Sequence, residues 1–202
     1  MVWDELGRAA QEDNRRDRDK LIGIYIGILA VLLAICGVGG GNAAKDAARA
    51  NLDATNTWAF FQAKNMRRHT LRLQAEELEL RLVGEPSLTD QGKAAIKARI
   101  EDYRKQDEIL TRDPEKEPAR REGLDQLFEK ARALEAERDV ALRKDPYFDY
   151  GQAMIQIAIV LASIALISSG SMLLAASAIV AVLGGLLTFN GFTLMFAVPF
   201  LG

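Results

Sequence analysis

The stretch GQAMIQIAIVLASIALISSGSMLLAASAIVAVLGGLLTFNGFTLMFAVPFLG, residues 151–202, contains no Asp, Glu, Lys, Arg or His, whereas the hundred residues before it are dense in both signs of charge. A water-facing surface needs polar groups, so so long an uncharged run does not suit a globular exterior. In lipid it is favourable: each Leu, Ile, Val or Phe contributes about 0.3–0.6 kcal/mol, and a central charge costs about 2.5–3.5 kcal/mol. The run predicts a transmembrane helix at 151–168, a polar turn at SSGS 168–171, and another transmembrane helix at 172–189. The remaining tail, 190–202, is apolar but broken by Asn190, Gly191 and Pro199, and is too short for a further crossing.

Working towards the amino terminus, LIGIYIGILAVLLAICGV at 21–38 supplies a first span. At about 1.5 Å per residue it reaches roughly 27 Å, close to the hydrocarbon thickness of a bilayer. Arg15, Arg16, Arg18 and Lys20 precede it, which raises the alternative of a cleaved signal peptide. Ile35 is too large for the position before a lipoprotein cysteine, and the segment reads as a retained anchor. Residues 1–20 form a polar amino-terminal tail or interfacial helix. Gly37, Gly39, Gly40 and Gly41 read as a flexible joint closing the 21–41 segment, since neither a preceding strand nor a Gly-Lys-Ser/Thr sequence supports a phosphate loop.

Residues 42–150 lie between the spans and read as a charged helical domain. Nothing from Ala43 to Val83 breaks a helix, and Leu71, Ala75, Leu78 and Leu82 form an apolar stripe. GEPS at 84–87 ends it, a second helix runs from Ser87–Thr89 to Thr111 with Ile96, Ile100, Tyr103 and Leu110, and DPEKEP at 113–118 interrupts again. A third helix follows to Lys144, with Leu124, Phe128, Ala131, Leu134, Ala141 and Leu142 on one side and pairs such as Glu135–Arg138 on the other. Pro146, Tyr147, Phe148 and Tyr150 read as a headgroup-level aromatic belt. The predicted fold is an all-α membrane protein: three transmembrane helices and, between the first and second, an extended antiparallel helical hairpin of coiled-coil character.

Charge and composition exclude more than they specify. Lys plus Arg (26) nearly cancels Asp plus Glu (28), so no global field favours nucleic acid. One cysteine, Cys36, and one histidine, His69, leave no disulfide, histidine cluster or histidine-based triad, and the sequence predicts no catalytic, cofactor-binding or metal-binding residues. The basic cluster before the first span places the amino terminus in the cytoplasm and the helical domain outside it, against a competing cluster of Arg138, Arg143 and Lys144. Small residues four apart, Gly23 and Gly27, Ala158 and Ala162, then Ser177, Ala181 and Gly185, predict close helix packing within or between chains.

One segment stands out from amphipathic background. NTWAFFQAKNMR at 56–67 sets Asn56, Trp58, Phe61, Gln62 and Lys64 on a helix leaving the membrane, with Trp58, Phe61, Gln62 and Asn65 on one arc. Three roles suit them: aromatic core anchors with register-fixing amides, a ligand or lipid-headgroup site that adds Arg67, or a pore-lining ring. With QIAIVLASIAL at 156–166, this motif resembles a bacterial membrane family, domain of unknown function 4337, across nearly the whole chain; the matching positions are Asn56, Trp58, Ala59, Phe61, Gln62, Ala63 and Lys64. The resemblance implies the same arrangement of spans around a charged helical middle, in a bacterial inner membrane, and no reaction. SSGS stands where family members often carry basic residues and Trp.

The functional expectation is a membrane-anchored structural or interaction protein, a homo-oligomer or an accessory subunit whose partners are the bilayer and other membrane proteins. The alternative is an oligomeric channel, with Gln156, Ser163, Ser168, Ser169, Ser177, Thr188 and Asn190 along its path. No small-molecule ligand is identified.

Overall fold

The computed structural model describes residues 2–115, 121–168 and 170–198, with side chains from residue 15. Among these residues the fold is all-helical, with no strands: α1 (Val2–Gly84), α2 (Asp90–Thr111), α3 (Leu124–Ser168) and α4 (Ser171–Thr193). α1, α3 and α4 are long and apolar enough to cross a membrane, as the uncharged runs predict. The described parts of the 113–118 interruption and the 168–171 turn are non-helical at 113–115 and at Gly170; residues 116–120, Ser169 and the tail from Pro199 lie outside the described residues.

Two expected breaks are absent. The glycines at 37–41 are helical, as are Arg143 to Gln152, so the chain passes through both sites without a joint. Pro146 sits inside α3, where its missing N–H leaves the Leu142 carbonyl without an in-helix donor, a cost of about 3 kcal/mol. Burial of the next two residues, Tyr147 and Phe148, offsets that cost by anchoring the helix immediately after the lost bond. α2 begins as sequence chemistry predicts: Thr89 caps it by accepting from the Gly92 N–H at 3.2 Å.

The chain divides into two compact units. One comprises residues up to Ala47 together with those from Asp139; the other is Ala48–Arg138. The core of the first draws Leu29, Cys36 and Ala43 from α1, Phe148, Ile155 and Ala158 from α3, and Ala181 from α4. In the second, Ala54, Leu71 and Ala75 of α1, Ile100 of α2, and Leu124, Leu127 and Ala131 of α3 are buried. Leu142, expected on an apolar seam, is exposed, and Leu127 takes the buried role one turn after Leu124.

Candidate functional site

In the Ala48–Arg138 unit the distinctive motif of α1 splits between two faces. The Trp58 ring meets Phe61 and Phe128 edge-on, with centroids 5.5 Å away in each case and interplanar angles of 83° and 82°. Phe61 and Phe128 close the triangle at 6.3 Å. Such edge contacts add about 0.5–1.5 kcal/mol each beyond simple burial. The Trp58 Nε1–H donates to Glu135 Oε1 at 2.9 Å, so Glu135 turns inward from the solvated face on which its spacing with Arg138 places it. Arg132 extends the cluster, with its guanidinium 5.9 Å from the Phe128 centroid and 3.7 Å from Glu135 Oε2.

Lys64 donates to the Glu122 carbonyl, lies 3.9 Å from that residue's carboxylate, and sits 5.0 Å from the Phe60 ring centroid. Asn65 accepts from Arg68 Nη2 at 2.8 Å. Further along α1, Arg72 makes a two-pronged contact with Asp107 of α2 at 2.8 and 2.9 Å, and Arg104 of α2 donates to Glu79 at 2.7 Å. The hydrogen bond from Arg72 to Asp107 raises the guanidinium's already high pKa. Near the start of α3, Asp113 accepts from the backbone N–H of Glu115 at 3.0 Å and of Glu122 at 3.1 Å, which holds its carboxyl below the ordinary aspartate value.

Asn56 and Gln62 behave differently. Both are exposed. Thus Trp58, Phe61 and Lys64 are brought together with Phe128, Glu122 and Glu135, while Asn56 and Gln62 stay exposed.

In the other unit, the polar side chains of the apolar helices satisfy one another. Ser177 Oγ of α4 donates to the Ala158 carbonyl of α3 at 2.6 Å and lies 3.1 Å from the Tyr25 hydroxyl of α1. Cys36 Sγ–H donates to the Phe148 carbonyl at 3.2 Å, and the Thr188 hydroxyl shares its hydrogen between the Gly184 carbonyl at 2.8 Å and the Cys36 sulfur at 3.3 Å. Two links of this kind, one at Ser177 and one at Cys36, tie three helices together. Ser163 bonds back to its own helix at Ile159.

The predicted small-residue contacts divide as well. Ala158, Ala162, Ser177 and Ala181 are buried, and Gly185 is half-buried towards Leu32. Gly23 and Gly27 face open space. Two helix backbones meet instead at Gly151 and Gly184: a Cβ on either would stand 3.0–3.1 Å from the other's carbonyl oxygen. A second glycine set, Gly39, Gly40 and Gly191, surrounds Phe148, which is 2% exposed and stacks edge-on with Phe192 at 4.8 Å. Tyr147 and Phe148 are therefore packing anchors; of the expected aromatic belt, Tyr150 alone among the three rings is exposed. The signal available in sequence was the clustering of glycine opposite an aromatic residue, but which helices meet is not encoded in spacing.

The tail after α4 is held by side chains. Asn190 Nδ2–H donates to the Phe196 carbonyl at 2.7 Å while its oxygen accepts from the Phe196 N–H at 2.9 Å. The Tyr147 hydroxyl donates to the same carbonyl and accepts from Val198 N–H, both at 3.1 Å. These four bonds hold Leu194 at a left-handed φ of 49°, a conformation that costs a non-glycine residue about 1–2 kcal/mol. Beside the tail lies a groove of about 510 Å³ lined by Tyr150, Met154, Leu183, Leu186 and Phe196. Its lining is almost wholly apolar. Among the described residues no group of three or more His, Cys, Asp or Glu side chains is placed to hold a metal ion.

A protein-family model, described as a domain of unknown function (DUF4337), matches residues 18–194. No curated protein and no solved structure matches the chain.

Proposed function

The chain belongs to the DUF4337 family, and on that footing we propose that it is a membrane-anchored structural or interaction protein acting as a homo-oligomer or accessory subunit. The observation that carries this reading is how the polar chemistry is spent. Tyr25, Cys36, Ser177 and Thr188 bond to neighbouring helices, and Trp58, Lys64 and Glu135 bond across the charged unit. What is left facing outward is suited to association.

In this reading α1, α3 and α4 cross a bacterial inner membrane, and the Ala48–Arg138 segment forms a helical hairpin whose returning arm is α2 with the first half of α3. The contacts Trp58–Glu135, Arg72–Asp107 and Glu79–Arg104 support it, because residue numbers rise on α1 as they fall on its partners. Arg15, Arg16, Arg18 and Lys20 favour a cytoplasmic amino terminus, with the hairpin outside. The channel alternative draws no support from Ser163, Ser177, Thr188 or Asn190, since each is engaged within its own chain. Native mass spectrometry in mild detergent tests the proposal: an oligomer or a hetero-complex is expected, and a strictly monomeric species without partners would contradict it.

A further inference from the structure

Within the charged unit, α1 has two apolar faces, and its own unit uses one. Ala54, Trp58, Phe61, Leu71 and Ala75 point inward. On the opposite side Leu52, Met66, Leu73 and Leu80 are 64, 70, 65 and 74% exposed, and Ala59 is exposed between the first two. These five recur every seventh residue without a break. Four large apolar side chains at heptad spacing on a water-facing helix are not scattered surface residues.

Counting three residues on from each of the five gives Thr55, Gln62, His69, Glu76 and Val83, all exposed, so up to Glu76 the face is a heptad stripe in which apolar layers alternate with polar ones. From Leu52 to Val83 it covers more than four heptads, or about 47 Å of helix. A strict seven-residue period on an α-helix drifts by about 20° per heptad, which a second helix corrects by left-handed supercoiling.

We infer that this outer face of α1 is the seat of a second copy of the same chain, packed parallel and in register through Leu52, Ala59, Met66, Leu73 and Leu80. This deepens the homo-oligomer reading and rests on it. A second copy is the fitting occupant for three reasons. Anchored copies present the same helix in the same direction from the same membrane surface, so parallel pairing needs no inversion. In register, Thr55 and Gln62 meet their own counterparts, and amides and hydroxyls serve each other as donor and acceptor. Arg72, its side chain still 47% exposed while it holds Asp107, and Glu77, five residues on, occupy the two edges of the seam in the positions where a parallel pair forms cross-chain ion pairs. The seam explains the exposure of Gln62, which the interior of its own unit does not use. The same seven-residue count carried back along the sequence falls on Ile24, Val31 and Val38, interrupted at Lys45.

Disulfide trapping of the full-length protein in native membranes tests the inference. In a Cys36→Ser background, Met66→Cys and Leu73→Cys are expected to give cross-linked homodimers on mild oxidation, several-fold above Gln74→Cys, which is exposed but off the seam. Equal cross-linking at all three positions, or none at Met66 and Leu73, overturns it. The Met66→Glu, Leu73→Glu double variant should dissociate the assembly on native mass spectrometry with helicity unchanged by circular dichroism. An intact homo-oligomer in that variant overturns the seam while leaving the oligomer reading standing, whereas a monomeric wild type removes both.

Discussion

Gly39 and Gly41 are two residues apart in one helix, and the same substitution in each should act in opposite directions. A Cβ at Gly39 would stand 2.8 Å from Phe148 Cζ and 2.9 Å from Phe192 Cζ, so Gly39→Ala must displace two packed rings. Overpacking of that kind costs about 1–3 kcal/mol, more than the gain in helix propensity of about 1 kcal/mol. At Gly41 nothing lies within 4 Å, and Gly41→Ala should stabilise by about 0.5–1 kcal/mol. Thermal unfolding in detergent should therefore show a lowered midpoint for the first variant and a raised one for the second. Sequence gives the same letter at both positions, which is why a loose joint was the natural reading of the run. Asp113 provides a solution test at the same scale. Its carboxylate accepts two backbone N–H bonds in the folded state, so its pKa is depressed; the stabilisation is present above the ordinary value of about 3.9 and is lost as pH falls through the folded value. Carbon-detected NMR titration should find the Asp113 midpoint below that of an unfolded aspartate, and a midpoint at or above it would contradict the geometry.

At the scale of elements, α3 is one helix where two were expected, because a proline beside four polar or aromatic residues reads as a boundary. What overrides the boundary is tertiary: Tyr147 and Phe148 are buried immediately after the proline. Pro146→Ala should accordingly keep the helix and restore the donor to the Leu142 carbonyl, raising the thermal midpoint; a lowered midpoint would mean that a break is needed there. The aromatic cluster was legible in part. Trp58, Phe61 and Phe128 sit at positions that helical periodicity marks as apolar, but the inward turn of Glu135 is set by a partner 77 residues away in sequence. Trp58→Phe retains the ring and removes the N–H, leaving the Glu135 carboxylate without that donor. A cost of about 1 kcal/mol is expected in denaturant unfolding. Asn56→Ala, on the open face, should change stability by less than about 0.5 kcal/mol.

For the whole molecule, the strongest signal was the simplest one. Uncharged runs long enough to cross a bilayer fixed the number and order of apolar helices, and the described residues contain those three. The partners of the small residues were not legible: Gly23 and Gly27 face outward within the chain, while Gly151 and Gly184, absent from the four-residue spacing, bring two helix backbones together. Spacing along one helix reports which residues share a face, and says nothing of which helix that face will meet. The account as a whole depends on three crossings of one bilayer. Single cysteines at Arg15, Ser87, Met172 and Met195, labelled with a membrane-impermeant maleimide from each side of sealed, oriented vesicles in a Cys36→Ser background, test this directly. Three crossings predict that Ser87→Cys and Met195→Cys react from one side and that Arg15→Cys and Met172→Cys react from the other; labelling of Arg15→Cys and Ser87→Cys, or of Met172→Cys and Met195→Cys, from the same side would contradict the account.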